Sequence, residues 1–198
     1  MRLLLIRHGE TIHNVAGVYA GITDSPLTTH GVLQADRLGK YLSTELKVSK
    51  IFSSDLQRAV KTAEAVLLAQ DRTSPFFPRD VTKLALLREQ DYGSMEGKSF
   101  RVRAVNSSNA NHEEQKTAVV FKDVESATSM KRRMKSFLDQ HLVPYIISTE
   151  ASCSIVVVAH GIILTHLWTE IVKEFLPGQV ALSPQGQNRD RMLTLESI

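Results

Sequence analysis

Two short apolar runs, Leu3 to Ile6 and Ile155 to Ala159, limit what this chain can fold into more than any other feature. An aliphatic run with no polar alternation reads as a strand buried on both faces, as in a parallel sheet covered by helices on each side. The two runs share an ending: Arg7-His8-Gly9 follows the first and His160-Gly161 the second. In an open α/β sheet, ligands bind beyond the carboxyl ends of the strands, so the residues that leave these runs are the first candidates for chemistry.

Helical periodicity fills the space between the runs. Thr28 is placed to cap a helix over about 29 to 43, with Val32, Ala35, Leu38 and Leu42 on one face. Ile51 and Phe52 read as a brief strand, Ser53 and Ser54 as a loop, and Asp55 as the N-cap of a helix carrying Leu56, Ala59, Val60, Ala63, Val66 and Leu67. Val81 to Leu87 is a third strand candidate that enters the polar loop Arg88 to Lys98. From Ser126, a helical face of Met130, Met134, Phe137, Leu138 and Leu142 runs until Pro144, and the cluster Lys131, Arg132, Arg133 and Lys135 reads as a solvated face. An apolar helix over about 162 to 175 follows the second run. Residues 99 to 124 have weak periodicity, and Asn106 to Asn111 reads as a mobile loop in an insertion. Strands alternating with helices predict an α/β fold with a mainly parallel sheet.

The chain has 198 residues, which predicts a single domain over 1–198 with a modest insertion. At 42% hydrophobic and 23% charged, it excludes disordered, collagen-like and coiled-coil classes. The net charge of +3 is far from that of a dedicated nucleic-acid binder and favours a small anionic partner. Cys153 is the single cysteine and reads as a strand-start residue, so no internal disulfide is expected. No apolar run approaches a membrane span, and the N-terminal run is short for a signal peptide. The expectation is a cytoplasmic protein, with the nucleus as an alternative, no membrane or nucleic-acid partner, and a monomeric or homodimeric state.

Adding Arg58 and Glu89 to the strand ends gives two histidines, two arginines and one carboxylate. Such a set suits phosphoryl chemistry. Guanidinium groups match phosphate oxygens and keep their charge, a neutral imidazole is a competent nucleophile near neutral pH, and one carboxyl group can act as acid and then as base. Each residue also has a structural reading: Arg7 and Arg58 as ion-pair arginines, Glu89 as a solvated loop residue, either histidine as a satisfied core group. A metal site would need three or four ligands; His8, His13 and a distant acid are the nearest approach, without metal-ligand spacing.

Five ordered blocks resemble the histidine phosphatase superfamily, the phosphoglycerate-mutase-like clan. They are Arg7-His8-Gly9-Glu10-Thr11 with Asn14; Ala20-Gly21 and Asp24 to Thr28, with Gly31; Ser53 to Ala59, with Thr62; Leu87 to Gly93, with Glu96-Gly97; and Val158 to Gly161. The resemblance implies a three-layer α/β/α sandwich with a mostly parallel sheet of about six strands and neither metal nor organic cofactor. It implies His8 as the phosphorylated nucleophile, Glu89 as the proton donor, and Arg7, Arg58 and a protonated His160 around the phosphate, with Asn14 as a further polar contact. Ala20, Gly21 and Gly161 complete the expected substrate- and phosphate-binding set.

The resulting expectation is a metal-independent phosphatase that hydrolyses a small phosphomonoester through a phosphohistidine. A mutase-type phosphotransferase and a catalytically weak phosphate-binding or scaffold protein are the alternatives. Family mutases commonly carry a longer insertion after the acid, which favours hydrolysis here. Residues 98 to 125 would form a lid supplying Arg101 and Arg103, and Tyr19, Ala20, Tyr92 and Met95 would select the organic group. Ser183 to Arg191 is polar and only Met192 to Leu195 could return to the sheet, so a final strand is expected to be altered or missing.

Overall fold

The structure is a computed structural model that describes residues 1–100, 123–148, 152–175, 181–182 and 193–196. Strand β1 (Arg2–Arg7) leads through the short helix α1 (Ile12–Ala16) to α2 (Thr29–Glu45), β2 (Val48–Ser54), α3 (Gln57–Ala69) and β3 (Val81–Leu84). Then come α4 (Ala127–Phe137), a π-helical turn (Leu138–Leu142), α5 (Val143–Ser148), β4 (Ser154–Ala159), α6 (Gly161–Glu174), β5 (Ala181–Leu182) and β6 (Leu193–Glu196). The six strands form one sheet in the order β3-β2-β4-β1-β6-β5, with β3, β2, β4 and β1 parallel and β6 and β5 antiparallel.

Alternation along the central strands builds two cores. Leu3, Leu5, Ile155 and Val157 point to a face covered by α4, the π turn and α6, where Met134, Phe137, Leu142, Ile163 and Leu167 are fully buried. Leu4, Ile6, Val156 and Val158 point to the opposite face, covered by α2 and α3 through Leu42, Ala59, Ala63 and Val66. This is why both runs are apolar throughout: neither face of β1 or β4 meets water. The three-layer expectation agrees with this arrangement.

Local expectations fared unevenly. Thr28 caps α2, its Oγ1 accepting from the Gly31 N–H at 2.9 Å. Ser53 and Ser54 end β2 instead of forming a loop, and β3 stops at Leu84, with a 3-10 turn over Ala85–Leu87. Asp55 is not the cap of α3. Leu56 holds that place with no side-chain cap, and Asp24 from a remote loop accepts the Gln57 N–H at 2.9 Å. Asp55 instead takes a two-bonded ion pair from Arg88, both bonds 2.7 Å, which holds its carboxyl below the usual range.

Pro144 does not end the helical path. The widened π turn before it passes directly into α5, which tolerates a residue with no N–H to donate. The missing final strand is also corrected, because β6 pairs antiparallel with β1, Leu3 opposite Leu195. Cys153 lies buried just before β4. Asn106–Asn111, Arg101, Arg103 and most of the expected lid lie outside the described residues. Among the described residues no helix is long and apolar enough to cross a membrane.

Phe137 joins α4 to the sheet: it is fully buried, and its ring meets that of Phe52 edge-on at 5.5 Å. Phe137→Ala should therefore lower unfolding free energy by about 3–5 kcal/mol in urea titrations. A loss under about 1 kcal/mol would show that this layer is not closed as described.

Candidate functional site

The register of β1 on β4 assembles the centre of the site. Arg7 pairs with Ala159, and the His8 N–H donates to the Ala159 carbonyl at 3.1 Å, so His8 and His160 leave adjacent strands side by side. Their rings meet edge to face at 5.0 Å. Arg58, in the first turn of α3, reaches the same point, its Nε donating to His160 Nδ1 at 3.2 Å. His8, Arg58 and His160 are buried, with 9%, 2% and 1% of their surfaces exposed, whereas Arg7 is exposed.

Hydrogen bonds decide both tautomers. His8 Nδ1 lies 2.7 Å from the Gly9 carbonyl, an acceptor only, so Nδ1 carries hydrogen. Burial pulls the His8 pKa down to about 3; the Gly9 bond opposes this, and Arg58 and Arg7 add to it. The imidazole is therefore neutral near pH 7, with its lone pair on Nε2. His160 Nδ1 accepts from Arg58, which places hydrogen on Nε2, a buried atom with no partner among the described residues. Burial, then Arg58, His8 and Arg7, push the His160 pKa far below its ordinary value. Burial and the arginines around His160 thus oppose the protonation expected of it and favour a neutral N–H donor at Nε2.

Glu89 lies on the other side. Its carboxylate accepts the N–H groups of Ile162 at 3.2 Å and Ile163 at 3.0 Å, and so caps α6, whose N-cap His160 offers no side-chain bond. A Cβ on Gly161 would sit 3.9 Å from Arg7 Nε and 4.0 Å from Glu89 Oε2, so Gly161 lies between these groups and its neighbours do not require a glycine. Gly9 does require one, since a Cβ there would come within 2.5 Å of the Gly31 carbonyl of α2. That glycine serves packing of the helix end on the loop.

Asn14 stands near the loop entrance, where its side-chain oxygen completes a capping box with Thr11 on α1. Ala20 and Gly21 belong to a turn whose carbonyls hold Arg58: Nη2 donates to Gly21 at 2.6 Å and Nη1 to Thr23 at 2.9 Å. Burial draws the Arg58 pKa down, while Asp24, Glu89 and Glu96 resist. The Tyr19 ring meets that of Tyr92 at a tilt, 4.8 Å away, and that of Phe100 edge-on at 4.8 Å, and burial with the nearby Glu89 pushes the Tyr92 phenol up to about 12. Met95 sits in the 3-10 turn Gly93–Met95.

Sequence reasoning missed several supports. Arg133 belongs to no solvated face: it pairs with Glu125 at 2.7 Å and donates to the carbonyls of Leu86, Arg88 and Glu89, which straps the Glu89 loop to α4. Lys135 bonds Asp139 and Glu174. Thr62 receives the Gly9 N–H at 3.1 Å and donates to the Arg58 carbonyl, which ties the His8 loop to α3. Thr62, Asp24 and Glu96 all lie inside the motif blocks, so their presence there was the available signal.

The model of the histidine phosphatase superfamily, branch 1, matches residues 3–181. The chain belongs to this superfamily. Some relatives carry phosphatase names and others phosphoglycerate mutase names. Over 171 residues the chain is 36% identical to a Schizosaccharomyces pombe protein named "probable phosphatase", covering 85% of this chain and 56% of that one. A second such protein from the same yeast is 30% identical over 174 residues, covering 88% of this chain and 75% of its own length. The crystal structure of the α-ribazole phosphatase from Shigella flexneri matches with a TM-score of 0.66 at 29% identity, over 87% of this chain and 80% of that one. The chain thus spans little more than half of the first relative and three quarters of the second.

The depressed histidines make stability depend on pH. The unfolded chain takes up a proton on His8 near pH 6.5, the folded site only near 3. Between these values unfolding binds a proton, so the stabilisation is complete above about pH 6.5 and is lost as pH falls, at about 1.4 kcal/mol per pH unit for each such group. His160 adds to the same trend. Unfolding free energies between about pH 6 and pH 4 should fall less steeply in His8→Asn than in the wild type. Equal slopes would show that His8 titrates as a free imidazole.

Proposed function

We propose that this protein hydrolyses a small phosphomonoester through a phosphohistidine formed on His8. The observation that carries this reading is the hydrogen bond from His8 Nδ1 to the Gly9 carbonyl, which leaves the Nε2 lone pair as the nucleophile beside Arg58 and His160. Phosphate is the ligand that fits. Among the described residues the His160 Nε2–H, the remaining N–H groups of Arg58 and the exposed guanidinium of Arg7 are donors without acceptors of their own in the cradle.

In the first displacement, His8 Nε2 attacks phosphorus in line. The P–O bond to the organic group breaks, and Glu89, entering in its acid form, gives its proton to the departing oxygen. Arg7, Arg58 and His160 bind the equatorial oxygens, whose charge they stabilise without moving. In the second, Glu89 as carboxylate takes a proton from water as the water oxygen attacks phosphorus. The P–N bond breaks and returns neutral His8 and inorganic phosphate. No step calls on a metal, which makes the proposed enzyme metal-independent. Tyr19 and Tyr92, with Ala20 and Met95 beside them, are the proposed contacts of the organic group, and Asn14 is a proposed further contact of the phosphoryl group.

Phosphate release from p-nitrophenyl phosphate in the presence of a chelator tests this reading. His8→Ala should fall to the uncatalysed background, and acid quenching of the wild type should trap a phosphorylated histidine. Glu89→Gln should lower kcat by on the order of 10²- to 10⁴-fold while leaving phosphate binding in place. Equal turnover in wild type and His8→Ala would remove the proposal.

A further inference from the structure

Glu96 gathers more hydrogen bonds than any role so far described for it requires. Its Oε1 accepts the Ile22 N–H at 2.8 Å and the Tyr92 N–H at 3.3 Å, and its Oε2 accepts the Thr23 N–H at 2.8 Å and the Thr23 hydroxyl. The Ile22 N–H belongs to the same peptide unit as the Gly21 carbonyl. In a trans peptide these two groups point in opposite directions. One peptide plane therefore has the Glu96 carboxylate on its N–H side and the Arg58 guanidinium on its carbonyl side, the latter at 2.6 Å. Thr23 adds a second tie between the same two side chains: its N–H, in the peptide that carries the Ile22 carbonyl, faces Glu96, and its own carbonyl, in the following peptide, accepts from Arg58 Nη1 at 2.9 Å.

We propose that Glu96 is a positioning residue for the phosphate cradle: its carboxylate orients the turn at 21–23, and the carbonyls of that turn aim the Arg58 guanidinium at the phosphoryl group. The inference rests on the phosphatase reading of the site. Two features follow from the arrangement. A negative charge at the N–H end of the Gly21–Ile22 peptide polarises the Gly21 carbonyl at its other end, so that grip on Arg58 strengthens without a carboxylate touching the guanidinium and taking the place of phosphate. The turn must also bring its backbone close to Glu96. Gly21 has a φ of +52°, which favours glycine, and a Cβ there would overlap Glu96 Oε1, so a side chain at 21 would displace the carboxylate from the turn. Through the Tyr92 N–H, the same carboxylate joins this turn to the loop that follows Glu89.

Direct binding of inorganic phosphate and of orthovanadate, measured by calorimetry on the full chain, provides the test, beside p-nitrophenyl phosphate kinetics. Glu96→Gln should weaken both anions by about 10- to 100-fold, the scale of one misaligned charged hydrogen bond, and lower kcat/KM by a similar factor. The decisive readout is a double-mutant cycle with Arg58→Lys. Lysine lacks the planar fork that the two carbonyls aim, so Glu96→Gln should have little further effect on anion affinity in that background. Full additivity, or an unchanged affinity in Glu96→Gln, overturns the proposal. If Glu96→Gln fails to fold, Thr23→Val removes the hydroxyl donor alone; it should produce a smaller loss with the same dependence on Arg58, and an unaltered affinity there also overturns it. Because anion binding is read separately from turnover, a wild type that binds phosphate but fails to hydrolyse the ester counts against the phosphatase reading and not against this one.

Discussion

The pairing of β1 with β4 is the contact on which the rest depends. Two stretches about 150 residues apart in sequence lie parallel and in register, Leu3 on Ile155 through Arg7 on Ala159. Their continuous apolar sequence makes them the most buried strands, and a one-residue slip would turn every side chain to the wrong layer. Register therefore places His8 against His160. A functional alignment is secured by the energetics of two cores, because the hydrophobic packing that selects the register also selects the neighbours at the strand ends.

Around that junction the protein concentrates positive charge in a buried place, and among the described residues no carboxylate pairs directly with Arg58. Both imidazoles stay neutral, since burial and the adjacent guanidinium groups disfavour protonation. Arg58 is satisfied by carbonyls and one imidazole nitrogen. The carboxylates stand one step back: Glu96 behind the Gly21–Ile22 peptide plane, Glu89 on the N–H groups that open α6. A direct ion pair would fill the cradle; dipoles hold the same side chains and leave donors for an anion.

Much of this was legible in the sequence, for a physical reason. The apolar runs, the Thr28 cap and the helical faces reflect interactions within a few residues or a uniform requirement for burial, and each leaves a local pattern. The failures share the opposite origin. Asp55 has the chemistry of a cap, but Arg88 competes for it and Asp24 arrives from another loop, a choice made only in three dimensions. Arg133 sits in a basic cluster whose composition suggests solvent, yet its partner Glu125 and three loop carbonyls draw it inward. The final strand was misjudged because a short polar-flanked segment owes its pairing to the waiting edge of β1.

By itself the sequence singled out the residues proposed for the chemistry and set His8 and His160 at the ends of buried strands, because both readings rest on residue type and on hydrophobic patterning along the chain. The tertiary structure alone decided their surroundings: which nitrogen of each histidine bears hydrogen, that burial and the arginines oppose protonation of His160, and that Glu96 and Arg58 hold the two sides of the Gly21–Ile22 peptide. Tautomer, proton affinity and orientation depend on the field of groups brought together from distant segments, and no local pattern encodes that field.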